Sequence, residues 1–497
     1  MALIQQLAKH TAVYGISSIA TRVLSFIFLT PFLTYNFDTY AMGIQSELYS
    51  WAAFLMIPFT YRLETAFFRY GADKKNLWLS YRTASLTIVF NTLLLVFLFF
   101  IFQKPLSVFL EYQDNSYFLV LLVCIVATDA LMSIPFACLR LEGKALSFAL
   151  LKMSNMLLYL GLIWFFVSSD FLEKHSLLEV FGGSKTGGIG KVFIANLLAN
   201  LFTLLCLSPY FIHIFNRRQD KYIFSWPLWT KMFQFSAPLL IVGIAAVANE
   251  VLDRTMLKYL LEGDLNQRLS SVGIYGACYK IAIFMNLWTQ AYNFAAEPFF
   301  FKYKSKTEDR SFYASSTYFF TLVSTFIFLF ILFNLHWFQY FVAEPYRQGL
   351  QIVPLLLLSN LFLGLYYQVA VWYKLADKTN WGALISLLGV ACTISFNLIL
   401  IPRIGYIGAA WATVFCYGIM LLSAFFLGQY FFPMPYNYGK MGIIFSVGIC
   451  LTLFYYQTKS FFSSYISQTL WSQILLFIYV FIFWYRDKNY IKQILKQ

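Results

Sequence analysis

The stretch VGIYGACYKIAIF, residues 272–284, is apolar enough for a membrane helix, yet it carries Lys280 within it. It also has a counterpart. MGIQSELYSWAAF, residues 42–54, lies over it at a shift of 230, so that Gly43 falls on Gly273. Three more pairs follow in order: AFFRY (66–70) over FFFKY (299–303) at 233, RLEGK (140–144) over KLADK (374–378) at 234, and GIGKVFIAN (188–196) over YIGAAWATV (406–414) at 218. Ordered matches at a near-constant shift, with the drop of 16 at the last fitting a longer loop between helices 5 and 6, are the mark of an internal repeat. The two halves are therefore expected to fold alike and to run in the same direction.

Composition sets the solvent of this fold. Of 497 residues, 60% are hydrophobic and only 12% charged, with a mean hydropathy of +0.66. A soluble chain of this length needs more polar surface. About twenty apolar residues cross the hydrocarbon core as a helix. The runs near 12–33, 43–61, 83–103, 117–139, 147–168, 192–213, 233–253, 272–292, 312–333, 350–373, 381–401, 405–428, 441–457 and 468–485 give about fourteen spans. The first is too long for a signal-peptide core and lacks a small-residue cleavage site, so it is expected to be a retained helix.

The expected fold is an all-α polytopic membrane protein. A six-helix lobe covers 1–214 and a basic cytoplasmic linker 215–232. A second six-helix lobe covers 233–430, and two additional helices with a basic tail cover 431–497. Parallel repeats of this kind suit a transporter whose site lies near the bilayer midplane.

The net charge of +14 has a topological source. With the N-terminus placed in the cytoplasm, 24 of the 36 Lys and Arg fall in cytoplasmic segments and 10 outside, with Arg22 and Lys280 inside helices. This bias predicts that both termini are cytoplasmic. No basic stripe on a soluble fold suggests nucleic acid. The seven cysteines lie in apolar runs without a C-x-x-C pair, and the four histidines are scattered, so neither a metal nor a cofactor is expected.

Ionisable residues inside spans are the functional candidates, because a charge at the bilayer centre costs roughly 2.5–3.5 kcal/mol on insertion scales. Arg22, Asp129 and Lys280 lie deepest, and Glu47, Glu250 and Asp253 shallower; Arg62 and Arg254 stand at helix ends. On the eighth helix Tyr275, Tyr279, Asn286, Gln290 and Asn293 share one face, with Lys280 at its flank. Such a face lines a wet cavity or a helix contact, and Lys280 can equally be an ion-paired packing element with Glu250. Glu250 and Arg254 are also i,i+4 neighbours. Asp129, Glu250, Asp253 and Glu47 are candidates for ion coupling, with nothing in their spacing to select the ion. Pro31, Pro58, Pro135, Pro238 and Pro354 are candidate hinges. No nucleophile–base pair or P-loop is present. The longest outside loop, about 169–191, holds only Asp170, Glu173 and Glu179 and a GGSKTGG tip, which is little for a membrane-embedded polysaccharide-assembly enzyme.

Several segments together resemble polysaccharide-precursor (O-antigen/capsule, Wzx-type) flippases. That group belongs to the superfamily of multidrug exporters, oligosaccharidyl-lipid flippases and the lipid II flippase. SSIATRVLSFIFLTPFL (17–33) is similar to their first helix; APLLIVGIAAVANEVLDRTML (237–257) and GIYGACYKIA (273–282) resemble the opening of the second lobe. GLQIVPLLLLSNLFLGLYYQVAVWYKLADKT (349–379) and GYIGAAWAT (405–413) are similar to the tenth and twelfth helices. The resemblance implies two lobes that open alternately to either side of the bacterial cytoplasmic (inner) membrane. It also implies a polyprenyl-pyrophosphate-linked oligosaccharide as cargo, and other polysaccharide-assembly membrane proteins as partners. Arg22 matches the first-helix arginine of the group and Lys280 a basic position of the eighth helix. PFTYR (58–62) resembles the proline-then-arginine spacing of the lipid II branch. Under this resemblance Arg22, Arg62, Arg254, Lys280, Tyr275, Tyr279, Asn286 and Gln290 would line the cavity. Glu47, Glu250 and Asp253 depart from a purely basic pattern. A lipid II flippase and a multidrug exporter are the alternatives on the same fold.

Overall fold

The computed structural model describes residues 19–73, 76–169, 188–215, 224–302, 310–376, 378–462 and 464–496. The loop tip at 182–187 and the middle of the basic linker, 216–223, lie outside these. The described residues are almost all helical, joined by short turns and loops, and they contain no strand.

Helix α1 covers 19–36. It passes through a π turn at Ser25–Leu29, where the Thr30 amide donates to the Ser25 carbonyl, immediately before Pro31. Proline cannot donate and crowds the carbonyl four residues back, so the ladder shifts there. Next come α2 (Thr39–Thr60), α3 (Leu77–Phe109), α4 (Tyr117–Leu141), α5 (Ala145–Ser168) and α6 (Gly190–Cys206). Asp38 caps α2, its carboxylate accepting from the Ala41 amide at 2.8 Å. Helices α7 (Trp226–Leu260) and α8 (Leu265–Lys302) follow, longer than the apolar runs alone predict. Then come α9 (Ser311–Phe333) and α10 (Val353–Val369). The continuous stretch Thr379–Phe431 is broken at Ile404 and Gly405 into α11 and α12. Gly405 has φ +61°, a conformation that a β-carbon would strain. Helices α13 (Tyr438–Thr458) and α14 (Tyr465–Lys496) complete the chain. Fourteen membrane-length elements are thus present among the described residues, and nine continuous helices, with Thr379–Phe431 taken as one, are both long and apolar enough to be spans by composition alone. The chain is a multi-pass membrane protein.

By packing, the chain divides into two units: residues 1–258 with 264–273, and residues 259–263 with 274–497. Helix α7, which the sequence reading places in the second lobe, packs with the first unit. Its Met232 is buried in a core with Phe59, Phe67, Tyr81, Ile88, Val126 and Ile134.

Within the first unit α2 ends abruptly. Tyr61 (φ 49°) and Arg62 (φ 53°) are both left-handed, and a short helix, Leu63–Gly71, continues beyond them. Two consecutive residues with β-carbons in this region are costly, about 1–2 kcal/mol each. The freed carbonyls are satisfied from α3: the Asn91 amide donates to Pro58 O at 2.8 Å and Phe59 O at 2.9 Å. Asn91 is 3% exposed, so water does not substitute for it.

The repeat has a physical expression here. A β-carbon on Gly43 would run into the Leu269 carbonyl, and one on Gly273 would run into the Thr39 carbonyl. Thr39 and Leu269 are themselves related by the shift of 230. The starts of α2 and α8 therefore cross backbone to backbone through paired glycine notches. Lipid gives helices no hydrophobic reason to associate, and small residues that allow close approach supply the dispersion contact instead.

In the second unit α9 is the element on which α13 and α14 pack. Tyr318, Leu329, Leu332 and Phe333 share a core with Ile444, Leu451, Leu475 and Tyr479. Polar ties fix it: Tyr318 donates to the buried Asp487 carboxylate at 2.5 Å, and Tyr455 and Ser472 donate to the Phe333 carbonyl at 3.0 and 2.8 Å.

Candidate functional site

Glu47 lies one turn beyond Gly43 on α2, so both face the same way. Its side chain and that of Lys258 are fully buried, at 0% exposure each. Lys258 Nζ lies 3.1 and 3.2 Å from the two carboxylate oxygens. Trp51 Nε1 donates to Oε1 at 3.2 Å, and the Tyr112 hydroxyl donates to Oε2. Lys258 Nζ also donates to the Leu110 carbonyl at 2.5 Å and sits 4.3 Å from the Tyr112 ring centre. Arg268 extends the cluster, donating to Lys258 O at 3.1 Å and to Glu111 at 3.0 Å. Buried charges persist only when their hydrogen-bonding capacity is filled, and this pair meets that condition.

The sequence reading places Lys258 in an outside loop, because it ends the seventh span at 253. In the structure α7 runs on to Leu260, which brings Lys258 inside.

The other candidates divide by exposure. Arg22 on α1, Arg62 at the break after α2, and Lys280 on α8 have exposed side chains. The Arg62 guanidinium rests against Gly243 of α7, where a β-carbon would stand 2.7 Å from Nε. Glu250 is exposed, Arg254 is half-buried, and Asp253 is 3% exposed, its carboxylate accepting from the Arg254 amide at 2.8 Å. Asp129, midway along α4, accepts from Asn200 of α6 at 3.0 Å. Asn155 of α5 holds Asn200 in turn, at 3.2 Å, and Thr203 at 2.9 Å. The Lys152 ammonium, on α5, lies over the Phe136 ring at 4.3 Å.

On α8 the polar face is split. Tyr275 and Tyr279 are buried (0% and 6%), with ring centres 6.3 Å apart. Further along, Gln290 donates to Asn286 at 3.2 Å, and Gln368 of α10 donates to Asn293 at 2.7 Å. The first half of the face is packing, whereas the second half is a half-buried amide ladder.

Solved structures share this fold. The lipid II flippase MurJ in an inward closed conformation superposes with a TM-score of 0.67 at 16% identity, covering 96% of this chain and 100% of that one. The fold is that of the MurJ and MATE transporters. An inward-facing multidrug resistance MATE family transporter of the MOP superfamily gives 0.57 at 11% identity, covering 88% of this chain and 96% of the other. A MATE in complex with MaL6 gives 0.54 at 13%, with 88% and 97% covered. No protein-family model matches the chain, and no curated protein sequence matches it.

Sequence reasoning missed Lys258, Tyr112, Asn91 and Lys152. One signal was available for Lys258. A glutamate inside a span needs a counter-ion, and Lys258 lies one turn beyond Arg254, where a slightly longer α7 would carry it into the membrane. Nothing local marks Tyr112 or Asn91, whose partners are 65 and 33 positions distant.

Proposed function

We propose that this chain is a flippase that moves a polyprenyl-pyrophosphate-linked oligosaccharide across the bacterial cytoplasmic membrane by alternating access, for O-antigen- or capsule-type polysaccharide. The observation that carries the reading is the sorting of charge on the spans. Glu47 is neutralised by Lys258 and Asp253 is buried, while Arg22, Arg62 and Lys280 remain exposed and Glu250 is the one exposed acid among the candidates. Exposed cations suit a pyrophosphate crossing a low-dielectric region and disfavour a cationic drug. The polar parts of α8 and α10, Asn286, Gln290, Asn293 and Gln368, offer amide donors and acceptors to sugar hydroxyls. Asp129 is the proposed coupling residue, since Asn200 holds its carboxylate on an inner helix. The chain acts as a carrier and forms no covalent intermediate.

A second reading, lipid II as cargo, keeps the same chemistry and is favoured by the likeness to MurJ over nearly the whole chain. Reconstitution in proteoliposomes separates the two. Fluorescent polyprenyl-pyrophosphoryl oligosaccharide and lipid II are supplied in turn, and a membrane-impermeant quencher reports leaflet exchange. Faster exchange of the oligosaccharide lipid is expected. Exchange of lipid II alone supports the second reading, and exchange of neither removes both.

A further inference from the structure

We propose that Glu47 and Lys258 form a latch that holds the ends of α7 and α8 onto α2 at the end of the first unit that the Lys/Arg bias places outside, and that each transport cycle breaks and remakes it. The seam beside the pair is a close backbone crossing. Gly43 and Gly273 bring main chain against main chain at the crossing. The dispersion contact made by such a crossing is non-directional. A directional lock is what it otherwise lacks. Glu47 supplies one a single turn inward, meeting Lys258 from α7 and Tyr112 from the α3–α4 connection. Arg268, at the start of α8, ties the same corner twice, through Lys258 O and Glu111.

The repeat separates lock from packing. The glycine notch occurs in both halves, whereas the repeat mate of Glu47 is Ala277 and that of Lys258 is Phe28. Glycines at the crossing are thus a requirement of the helix approach, and the ion pair is not. A buried ion pair is also a poor static brace, because desolvation offsets much of its attraction. The same balance makes it a good latch. Closed, both charges are fully partnered; open, both regain water, so neither state is prohibitive.

The purpose of the latch rests on the transporter reading, but its test needs no cargo. Val272, next to the notch, is fully buried. The full chain bearing Val272→Cys is reconstituted in nanodiscs and treated with a membrane-impermeant maleimide, with the chain carrying Val272 as the background for the native cysteines. Glu47→Gln and Lys258→Met, each alone, strand one buried charge and should raise labelling of position 272 at least tenfold. The double variant Glu47→Gln/Lys258→Met strands neither and should return labelling to within about threefold of the starting chain. Unchanged labelling in both single variants overturns the proposal. So does a lowered melting temperature with unchanged labelling, which would make the pair an ordinary brace. If a single variant does not accumulate, Arg268→Gln takes its place, and the absence of a several-fold rise with it also overturns the latch. A latch that labels as expected in a chain that flips no lipid would sink the flippase reading alone.

Discussion

At the scale of the residue, the decisive contrast is between two lysines. Lys280 stands on a span and is exposed; Lys258 stands near a helix end and is wholly buried. Depth along a span and burial in protein are separate variables, because a helix has an inward face at every level. Arg22→Ala and Lys280→Ala should each reduce flipping of a pyrophosphate-linked lipid more than tenfold while the protein still accumulates in the membrane. Normal exchange in both variants would remove these side chains from the cargo path. Asp129→Asn keeps an oxygen for Asn200 to donate to, so the fold should hold to within a few degrees of melting temperature. Its expected effect is on the dependence of transport on an imposed ion gradient, and a gradient response equal to that of the parent would exclude Asp129 from coupling.

At the scale of the element, helix ends and crossings carry the specificity. The double left-handed turn at Tyr61 and Arg62 exists because Asn91 closes the end of α2. Asn91→Ala leaves the Pro58 and Phe59 carbonyls without those donors, the buried one at Phe59 at a cost of about 1–3 kcal/mol. Thermal unfolding in detergent should show the loss, and Asn91→Asp, which cannot donate, should share it. The glycines make a graded series. At Gly43 and Gly273 an added methyl meets main chain, which cannot yield without moving a helix; at Gly243 it meets the Arg62 guanidinium, which can swing aside. Gly43→Ala and Gly273→Ala should therefore strongly lower folded yield, and Gly243→Ala should leave it near normal. Equal yields across the three, measured by monodisperse recovery, would contradict the close crossing.

At the scale of the whole molecule, the fourteen-helix plan was legible in the chain itself. Hydropathy at a span length set by the bilayer marks a polytopic all-helical protein, while the repeat matches and the Lys/Arg bias add an expected doubling and orientation. These signals are local or periodic, and every span must satisfy them independently because lipid cannot hydrogen-bond an open backbone. Lengths were read short, since α3, α7 and α8 continue into polar residues that hydropathy windows exclude. Much of the candidate site was visible as ionisable residues on spans: Arg22, Glu47, Asp129 and Lys280 could be named from sequence. Their sorting into exposed cations and a sealed ion pair could not. That sorting depends on which face of each helix turns inward and on partners up to 211 positions away, as with Glu47 and Lys258. In lipid the apolar faces are nearly interchangeable, so composition tells each helix to cross the membrane but not which way to face. Only the tertiary packing decides that, through glycine notches, amide caps and one buried pair of charges.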